Sequence, residues 1–500
     1  MTKNSRNLFF QSLVIATAIT LSYFTLFSIF DLYYKGTLDW YWIKANFDII
    51  QEGLNSPLNF ISGKLIYSGN SNVFNNFFGL YFYSFPYAIK PPWFLFLLIV
   101  PIKYFLAIHF FIFIFLGCLG FLKLCSYFQI NLKIAQLFCI NYFFIGFFTG
   151  RFAAGHFQLL SFYCFPLVLY LVLRIAREKI FFSKHTCSLI LLYEFILFSG
   201  GAISLWQISI FIGLYLASNK KFLYLLKFYT YVFLVNFWII YPALKFSNYS
   251  KQGNSRTVFQ GYGWKYGLDS TQVASLEKLN YKLTYFVKIA YGQIESSIHQ
   301  ISDSLIKPIQ TIQGGSWEWD IYFGFLMITL TILSFILFFD AWKYIFKRII
   351  QVYSQLFVSV FLISMLSLSI FSRLIFSVFQ NFLQVPAIDR LPSRFALIPL
   401  TFLFIILAKM TTLIFYKFNS FTKFLISCLL LINVYFLMIH ARKWADYAIS
   451  QAPSTTPLST QNNWSFLNVN LNLLFIIIFG MLLSFLGNTI LIKRSFIKNH

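Results

Sequence analysis

Acidic residues are the scarcest group in this sequence. It has 15 Asp and Glu against 39 Lys and Arg in 500 residues, and charged residues of both signs make up only 11% of the chain. Soluble proteins average about 25% charged residues. With 59% apolar residues and a mean hydropathy of +0.71, the composition excludes a soluble globular protein.

Several catalytic and metal-binding motifs are also missing. The six cysteines form no CxxC pair, so neither a disulfide framework nor a zinc site is indicated, and we expect them to be small buried apolar residues. The absence of a Walker P-loop, an HExxH motif and a GxSxG motif argues against a membrane ATPase, a zinc protease and a serine hydrolase.

The net charge of +24 does not indicate a nucleic-acid partner. The basic residues are spread over links between apolar segments, whereas a nucleic-acid-binding protein concentrates them on one soluble face. Their position follows the positive-inside rule and suits contact with anionic membrane lipids.

Repeated apolar segments of about 20 residues predict an all-α polytopic membrane protein with about 12 transmembrane helices in one bundle over residues 1–500. Lys3 and Arg6 precede the first segment, and short basic links place both termini in the cytoplasm, so we expect a protein of the cytoplasmic membrane. The predicted spans are 9–30, 101–122, 134–149, 159–173, 188–198, 202–217, 222–244, 320–339, 349–371, 395–415, 421–439 and 469–492.

Two long loops and one shorter link are predicted on the outer face: 31–92, 245–317 and 373–394. Loops longer than about 15 residues are usually functional or disordered. The first loop opens with a concentration of the scarce carboxylates, namely Asp31, Asp39, Asp48 and Glu52. This loop is therefore the predicted active site.

Asp39 is the strongest catalytic candidate. Its neighbours Leu38, Trp40, Tyr41 and Trp42 are apolar or aromatic, and partial desolvation there would raise the carboxyl pKa towards that of a general base. The alternative is a surface aspartate within an interfacial aromatic belt.

Other polar candidates fall near predicted outer ends of spans. An arginine at the hydrocarbon boundary, such as Arg151, needs an anionic partner, and arginine suits bidentate phosphate recognition. Snorkelling, structural or membrane-anchoring roles remain the alternatives. The candidates are Arg151, His156, Gln158, Arg390 and Arg394. Glu194, inside a predicted span, is either a proton-relay group or a structural hydrogen-bonding group.

Four short stretches together resemble the GT-C superfamily of polytopic glycosyltransferases, over roughly residues 9–410. They are Asp39 in the first loop, Gly155-His156-Phe157-Gln158 followed by Pro166, Glu318-Trp319-Asp320-Ile321-Tyr322-Phe323-Gly324, and Arg390-Leu391-Pro392-Ser393-Arg394-Phe395. Family members often have a His or Gln a few residues after the first-loop acid, where this chain has Trp42, Lys44 and Asn46. A second acidic motif, present in many members, would fall to Glu318 or Asp320.

The resemblance implies a GT-C-like fold and an inverting transfer of sugar from a polyprenyl-phosphate carrier to a glycan, lipid or protein acceptor in the cell envelope. It implies that Asp39 is the base, and that Arg151, Arg390 and Arg394 hold the lipid phosphate. His156, Gln158 and Glu318 are further substrate-binding candidates. The lipid-linked sugar is the donor, and a divalent metal requirement is left open.

Two other classes remain open at this stage. A secondary transporter or lipid flippase would have paired halves with broken helices and polar residues near mid-membrane. A catalytically inactive GT-C-like scaffold would keep the fold without the reaction.

Overall fold

The computed structural model describes residues 3–27, 40, 100–178, 180–237, 320, 322–337, 339–340, 342–343, 347, 354–367, 395–417 and 419–450. Within these ranges the regular structure is helical and no strand occurs. The all-α prediction is confirmed for this part of the chain. Of the predicted outer regions, 245–317, 373–394 and all of 31–92 except Trp40 lie outside the described residues, as does the predicted last span.

The α-helices are α1 (Lys3–Phe27), α2 (Ile102–Tyr127), α3 (Leu132–Phe143), α4 (Gly146–Ala153), α5 (Phe165–Ile175), α6 (Lys184–Phe198), α7 (Ala202–Ser218), α8 (Phe222–Val235), α9 (Phe325–Leu337), α10 (Ser354–Ser367), α11 (Leu397–Lys417) and α12 (Ser420–Ser450). A 3-10 helix, Phe157–Cys164, joins α4 to α5.

Five helical stretches among the described residues are long and apolar enough to cross a membrane: Arg6–Phe27, Tyr104–Tyr127, Leu132–Ala153, Leu397–Tyr416 and Ser420–Ser450. Four shorter apolar stretches accompany them: Leu159–Ile175, Ser204–Ser218, Phe222–Val235 and Ser354–Ser364. The apolar helices are those of a membrane protein. The total of about 12 spans stays a prediction.

The chain divides into two compact units. Unit 1 comprises Met1–Cys139, Phe152–Gly253 and Ala445–His500. Its central helix is α2, which packs against α1, α5 and the 3-10 helix. Because α2 is apolar on all sides, it suits a position inside a bundle. Gly120 of α2 allows the approach of α5, since a Cβ there would lie 2.1 Å from the backbone nitrogen of Leu167.

Unit 2 comprises Ile140–Arg151 and Asn254–Trp444. Here α10 packs against α11. The hydroxyl groups of Tyr142 and Thr401 are 2.7 Å apart and hydrogen-bonded, and the ring of Tyr142 lies 5.5 Å from that of Phe404. Tyr142 and Thr401 are buried, so their hydroxyl groups satisfy each other in place of water.

In two places the helices depart clearly from the sequence-based spans. The predicted span 134–149 is divided at Phe144 and Ile145 into α3 and α4. The span predicted to end at 439 continues as helix to Ser450. The buried residues Ala441, Trp444, Ala445 and Ala448 recur at helical spacing, so the helix keeps a buried face beyond its most apolar part.

The cysteine prediction is confirmed. All six cysteines are free; Cys118, Cys125, Cys139, Cys164 and Cys187 are buried, and Cys428 is partly buried. They therefore serve as small packing residues within their helices.

Candidate functional site

Three of the seven predicted site residues fall within the described part of the chain. Asp39, Glu318, Arg390 and Arg394 lie outside it. Arg151 and His156 are described completely, and Gln158 is described for its backbone, which belongs to the 3-10 helix, but not for its side chain. The structure therefore reports on the Gly155–Gln158 turn and on the residues around it.

Trp40, the residue after Asp39 in sequence, is anchored in unit 1. Its indole N–H donates a hydrogen bond to the backbone oxygen of Ala153 at 3.1 Å, and its ring meets that of Phe152 edge-on at 5.7 Å. Only 2% of Trp40 is exposed. A buried tryptophan usually finds a partner for its N–H, and here that partner lies three residues before His156.

The aromatic setting of this anchor comes from three elements of unit 1. The ring of Phe152 lies 5.1 Å from those of Tyr23 and Phe27 in α1, and 4.8 Å from that of Phe110 in α2. Interlocking rings of this kind hold a segment in one position, because aromatic pairs contribute beyond the area that they bury. The end of α4 is thus fixed against α1 and α2.

The turn after α4 positions His156. Gly155 has φ 84°, a left-handed conformation that glycine adopts without strain, and its N–H donates to the oxygen of Phe152 at 3.0 Å. His156 follows at the start of the 3-10 helix and is buried, with 6% exposed. The predicted polar turn therefore exists, and its histidine faces the interior of unit 1 and not solvent.

Arg151 is assigned to unit 2 and is also buried. One guanidinium nitrogen, Nη1, donates to the backbone oxygen of Phe147 at 2.9 Å, and the guanidinium lies 3.8 Å from the centre of the Phe147 ring. This is a cation–π contact together with a hydrogen bond inside α4. The side chain folds back along its own helix and is not extended towards a surface.

A second polar cluster, which we call the Asp320 cluster, consists of Asp320, Tyr322, His440 and Trp444 in unit 2. One carboxylate oxygen, Oδ2, lies 2.6 Å from Nε2 of His440 and accepts a hydrogen bond from the indole N–H of Trp444 at 2.6 Å. The other oxygen, Oδ1, accepts from the backbone N–H of Tyr322 at 3.0 Å. Asp320 is fully buried.

The surroundings of the Asp320 cluster are built to fit it closely. A Cβ on Gly146 would lie 2.0 Å from Oδ1 of Asp320, so only glycine fits at that position. The N–H of Gly146 donates to the oxygen of Tyr322 at 2.7 Å. Asn433 lies seven residues before His440 in α12. It donates to Oδ1 of Asn141 at 2.8 Å and accepts from the N–H of Met327 at 3.2 Å.

The cluster has a defined chemical capacity. An ionised carboxylate only accepts hydrogen bonds, so the Nε2–H of His440 is the donor, and Asp320 fixes both the orientation and the protonated nitrogen of the ring. The other ring nitrogen, Nδ1, is buried and has no hydrogen-bond partner among the described residues. An oriented histidine with an available nitrogen is suited to accept a proton or a hydrogen bond.

Sequence reasoning missed most of this cluster. The sequence pattern offers Asp320 only as one of two alternatives, with Glu318, for the second acidic motif, and it gives no reason to select His440 or Trp444. The i, i+4 spacing of His440 and Trp444 is a signal that they share a helix face, but it gives no pointer to an aspartate 120 residues earlier.

The described residues contain no group of three or more His, Cys, Asp or Glu side chains arranged to hold a metal ion. Comparisons with known proteins find no matching family model, no matching curated protein and no matching solved structure.

Proposed function

We propose that the protein is a GT-C-type glycosyltransferase that moves a sugar from a polyprenyl-phosphate carrier to an acceptor at the outer membrane face. The hydrogen bond from Trp40 to Ala153 is the observation that supports this best, because it joins two residues, 113 apart in sequence, that adjoin two of the stretches on which the resemblance rests. Ala153 lies three residues before His156, so Trp40 itself is held at the end of the helix that leads into the His156 turn.

In this proposal Asp39 accepts the proton of the acceptor hydroxyl group as that oxygen attacks the sugar carbon. The bond from the sugar to the lipid phosphate breaks at the same time, so the configuration at the carbon inverts. Arg390 and Arg394 stabilise the charge that develops on the phosphate. Arg151 joins them only if its guanidinium leaves the Phe147 oxygen and ring on which it now rests. His156 and Gln158 hold the substrate beside Asp39, and Glu318 contributes a further substrate contact.

A proton-coupled transporter is the second candidate, supported by the Asp320 cluster. Carboxylate and histidine side chains buried among membrane helices are typical of proton relays. Asp320 and His440 are both buried and hydrogen-bonded to each other. In this reading the pair takes up and releases a proton during transport, and Asp39 is a surface residue.

Sugar transfer by the purified full-length protein tests the first proposal against the second. Radiolabelled polyprenyl-phosphate sugars are offered with a mixed glycan and lipid acceptor fraction, to the native protein, Asp39→Asn and the control Asp340→Asn, which removes an exposed carboxyl group. We expect a loss of about 10²–10⁴-fold in Asp39→Asn alone, the range for removal of a general base. Equal transfer by all three would exclude Asp39 as the base.

Proteoliposomes containing a pH-sensitive dye test the transporter. Proton movement that requires Asp320 and His440, without sugar transfer by any variant, would replace the glycosyltransferase proposal.

A further inference from the structure

Five cationic side chains gather at one end of unit 1, and we call this group the cationic cluster: Lys123, Arg174, Arg177, Lys184 and Lys221. They come from the last turns of α2 and α5, from the link after α5, from the first residue of α6 and from the residue before α8. Glu178 is the carboxylate that lies among them. The cluster therefore carries a clear excess of positive charge.

Glu178 offsets one of the five positive charges, and its carboxylate is already hydrogen-bonded within the protein. Its carboxylate is hydrogen-bonded to the hydroxyl group of Ser183 and to Nδ1 of His185. Its backbone oxygen accepts a hydrogen bond from Nζ of Lys221 at 2.6 Å. Burial lowers the pKa of His185, although Glu178 acts in the opposite direction. The acid thus organises the link between α5 and α6 from within.

Lys123 and Lys184 lie in the same part of the cluster, on either side of the Tyr170 and His185 rings in the chain of contacts. The ammonium group of Lys123 lies 5.6 Å from the centre of the Tyr170 ring, and Lys184 is close enough for the two charges to repel each other. The Tyr170 ring is in turn 6.2 Å from that of His185. Neither lysine has an ion pair among the described residues. A group of five cations that outnumbers its single carboxylate is suited to bind an anion.

Arg177 and Arg174 extend the cluster to the surface. Arg177 covers the ring of Tyr127, with its guanidinium 4.9 Å from the ring centre, and Arg174 acts electrostatically on His185. Both arginines are exposed. An exposed guanidinium presents donors in a planar fork that matches phosphate oxygens. The cluster thus combines the partly buried Lys123 and Lys221 with the exposed Lys184 and two exposed guanidinium groups.

Apolar side chains are exposed directly beside these charges. Phe222 and Leu223 follow Lys221 and are 72% and 66% exposed, Leu226 is 62% exposed, and Ile180 is 52% exposed two residues after Glu178. A free phosphate ion has no apolar part that could cover these side chains. A lipid matches both features, because its headgroup carries the phosphate and its acyl chains cover apolar side chains.

We propose that the cationic cluster is a binding site for the phosphate headgroup of an anionic membrane lipid. The phosphate lies between Lys123 and Lys184, Arg174 and Arg177 hold its outer oxygens, and the acyl chains run along Phe222, Leu223 and Leu226. The site is independent of the proposed sugar transfer, and no residue of the His156 turn takes part in it.

Thermal unfolding of the full-length protein in neutral detergent tests the site. Dioleoyl phosphatidylglycerol, dioleoyl phosphatidylcholine with the same acyl chains, and inorganic phosphate are titrated separately, and the Tm is followed by tryptophan fluorescence. We expect a saturable rise in Tm with phosphatidylglycerol only. An equal rise with inorganic phosphate would show a free-phosphate site, and an equal rise with phosphatidylcholine would show an unspecific lipid effect. Either result would overturn the proposal.

Variants locate the effect. Lys123→Gln with Lys184→Gln should weaken the apparent affinity for phosphatidylglycerol roughly 30-fold, since each cation near an anionic lipid contributes about fivefold. The matched control, Lys133→Gln with Lys423→Gln, removes the same charge elsewhere and should keep the native affinity. Lys123→Arg with Lys184→Arg should bind almost normally.

Unchanged affinity in the double glutamine variant would place the lipid elsewhere and refute the site. If that variant does not fold, the single variant Arg177→Gln, at an exposed position, replaces it. Its apparent affinity for phosphatidylglycerol should drop about fivefold, and an unchanged affinity would refute the site.

Discussion

The two charged clusters among the described residues differ in where their partners come from. In the Asp320 cluster a fully buried carboxylate is met by three donors, from His440, Trp444 and the backbone of Tyr322. In the cationic cluster five cations surround one carboxylate, and Lys123 is close enough to Lys184 for the two charges to repel each other. A charge deep in the bundle needs its partner within the protein, whereas a charge at the membrane boundary can take its partner from outside.

The largest expected effect comes from removing the buried acid. Asp320→Ala leaves His440 and Trp444 without their acceptor, and removal of one partner from a buried pair typically costs about 3–5 kcal/mol. We expect the free energy of unfolding in detergent, measured by denaturant titration, to fall by that amount. Asp340→Ala, which removes an exposed acid, is the control. A loss below that of the control would mean that the cluster does not stabilise unit 2.

A methyl group at Gly146 should disturb the same cluster by steric overlap. The added Cβ would lie 2.0 Å from Asp320, so Gly146→Ala forces the carboxylate to move, at a cost of about 1–3 kcal/mol. Gly213→Ala is the matched control within another helix, because its nearest neighbour would be 3.9 Å away. Comparison of the two midpoints of denaturation checks the prediction, and equal midpoints would contradict it.

Trp40→Phe separates the contribution of the Trp40 hydrogen bond from that of its ring packing in unit 1. The ring against Phe152 is retained in part, but the hydrogen bond to Ala153 is lost, which typically costs about 0.5–1.5 kcal/mol. We expect a small drop in the free energy of unfolding. If the proposed function holds, we also expect sugar transfer to fall several-fold while binding of the lipid donor persists. A variant with native stability would show that the Trp40 hydrogen bond is not made in solution.

The smallest effect should come from the cationic cluster when lipid is absent. Lys123→Gln removes one of two charges that repel each other, so the free energy of unfolding in lipid-free detergent should change by less than about 0.5 kcal/mol. The two clusters differ as described only if Lys123→Gln changes the free energy of unfolding far less than Asp320→Ala does. A loss as large as that of Asp320→Ala would show that Lys123 is part of the folded core.

The apolar character of the helices and the burial of the cysteines could be predicted from composition and segment length, because bilayer thickness sets how many apolar residues a span needs. The polar turn around His156 was also predicted, since Gly155 and the neighbouring polar residues interrupt an apolar pattern. The end of α12 was not, because the charged residues Arg442, Lys443 and Asp446 interrupt the apolar pattern, whereas the buried face of this segment consists mainly of alanines. The glycosyltransferase activity itself stays a prediction.

By itself, the sequence determined that the chain forms apolar membrane-type helices joined by basic links, because hydrophobicity and charge act locally and can be counted along the chain. Only the tertiary structure decided that Asp320 pairs with His440, that Trp40 is tied to Ala153, and that Lys123 lies over Tyr170. Each of these contacts joins residues far apart in the chain, and a partner at such a distance is selected by helix packing, which no local pattern encodes.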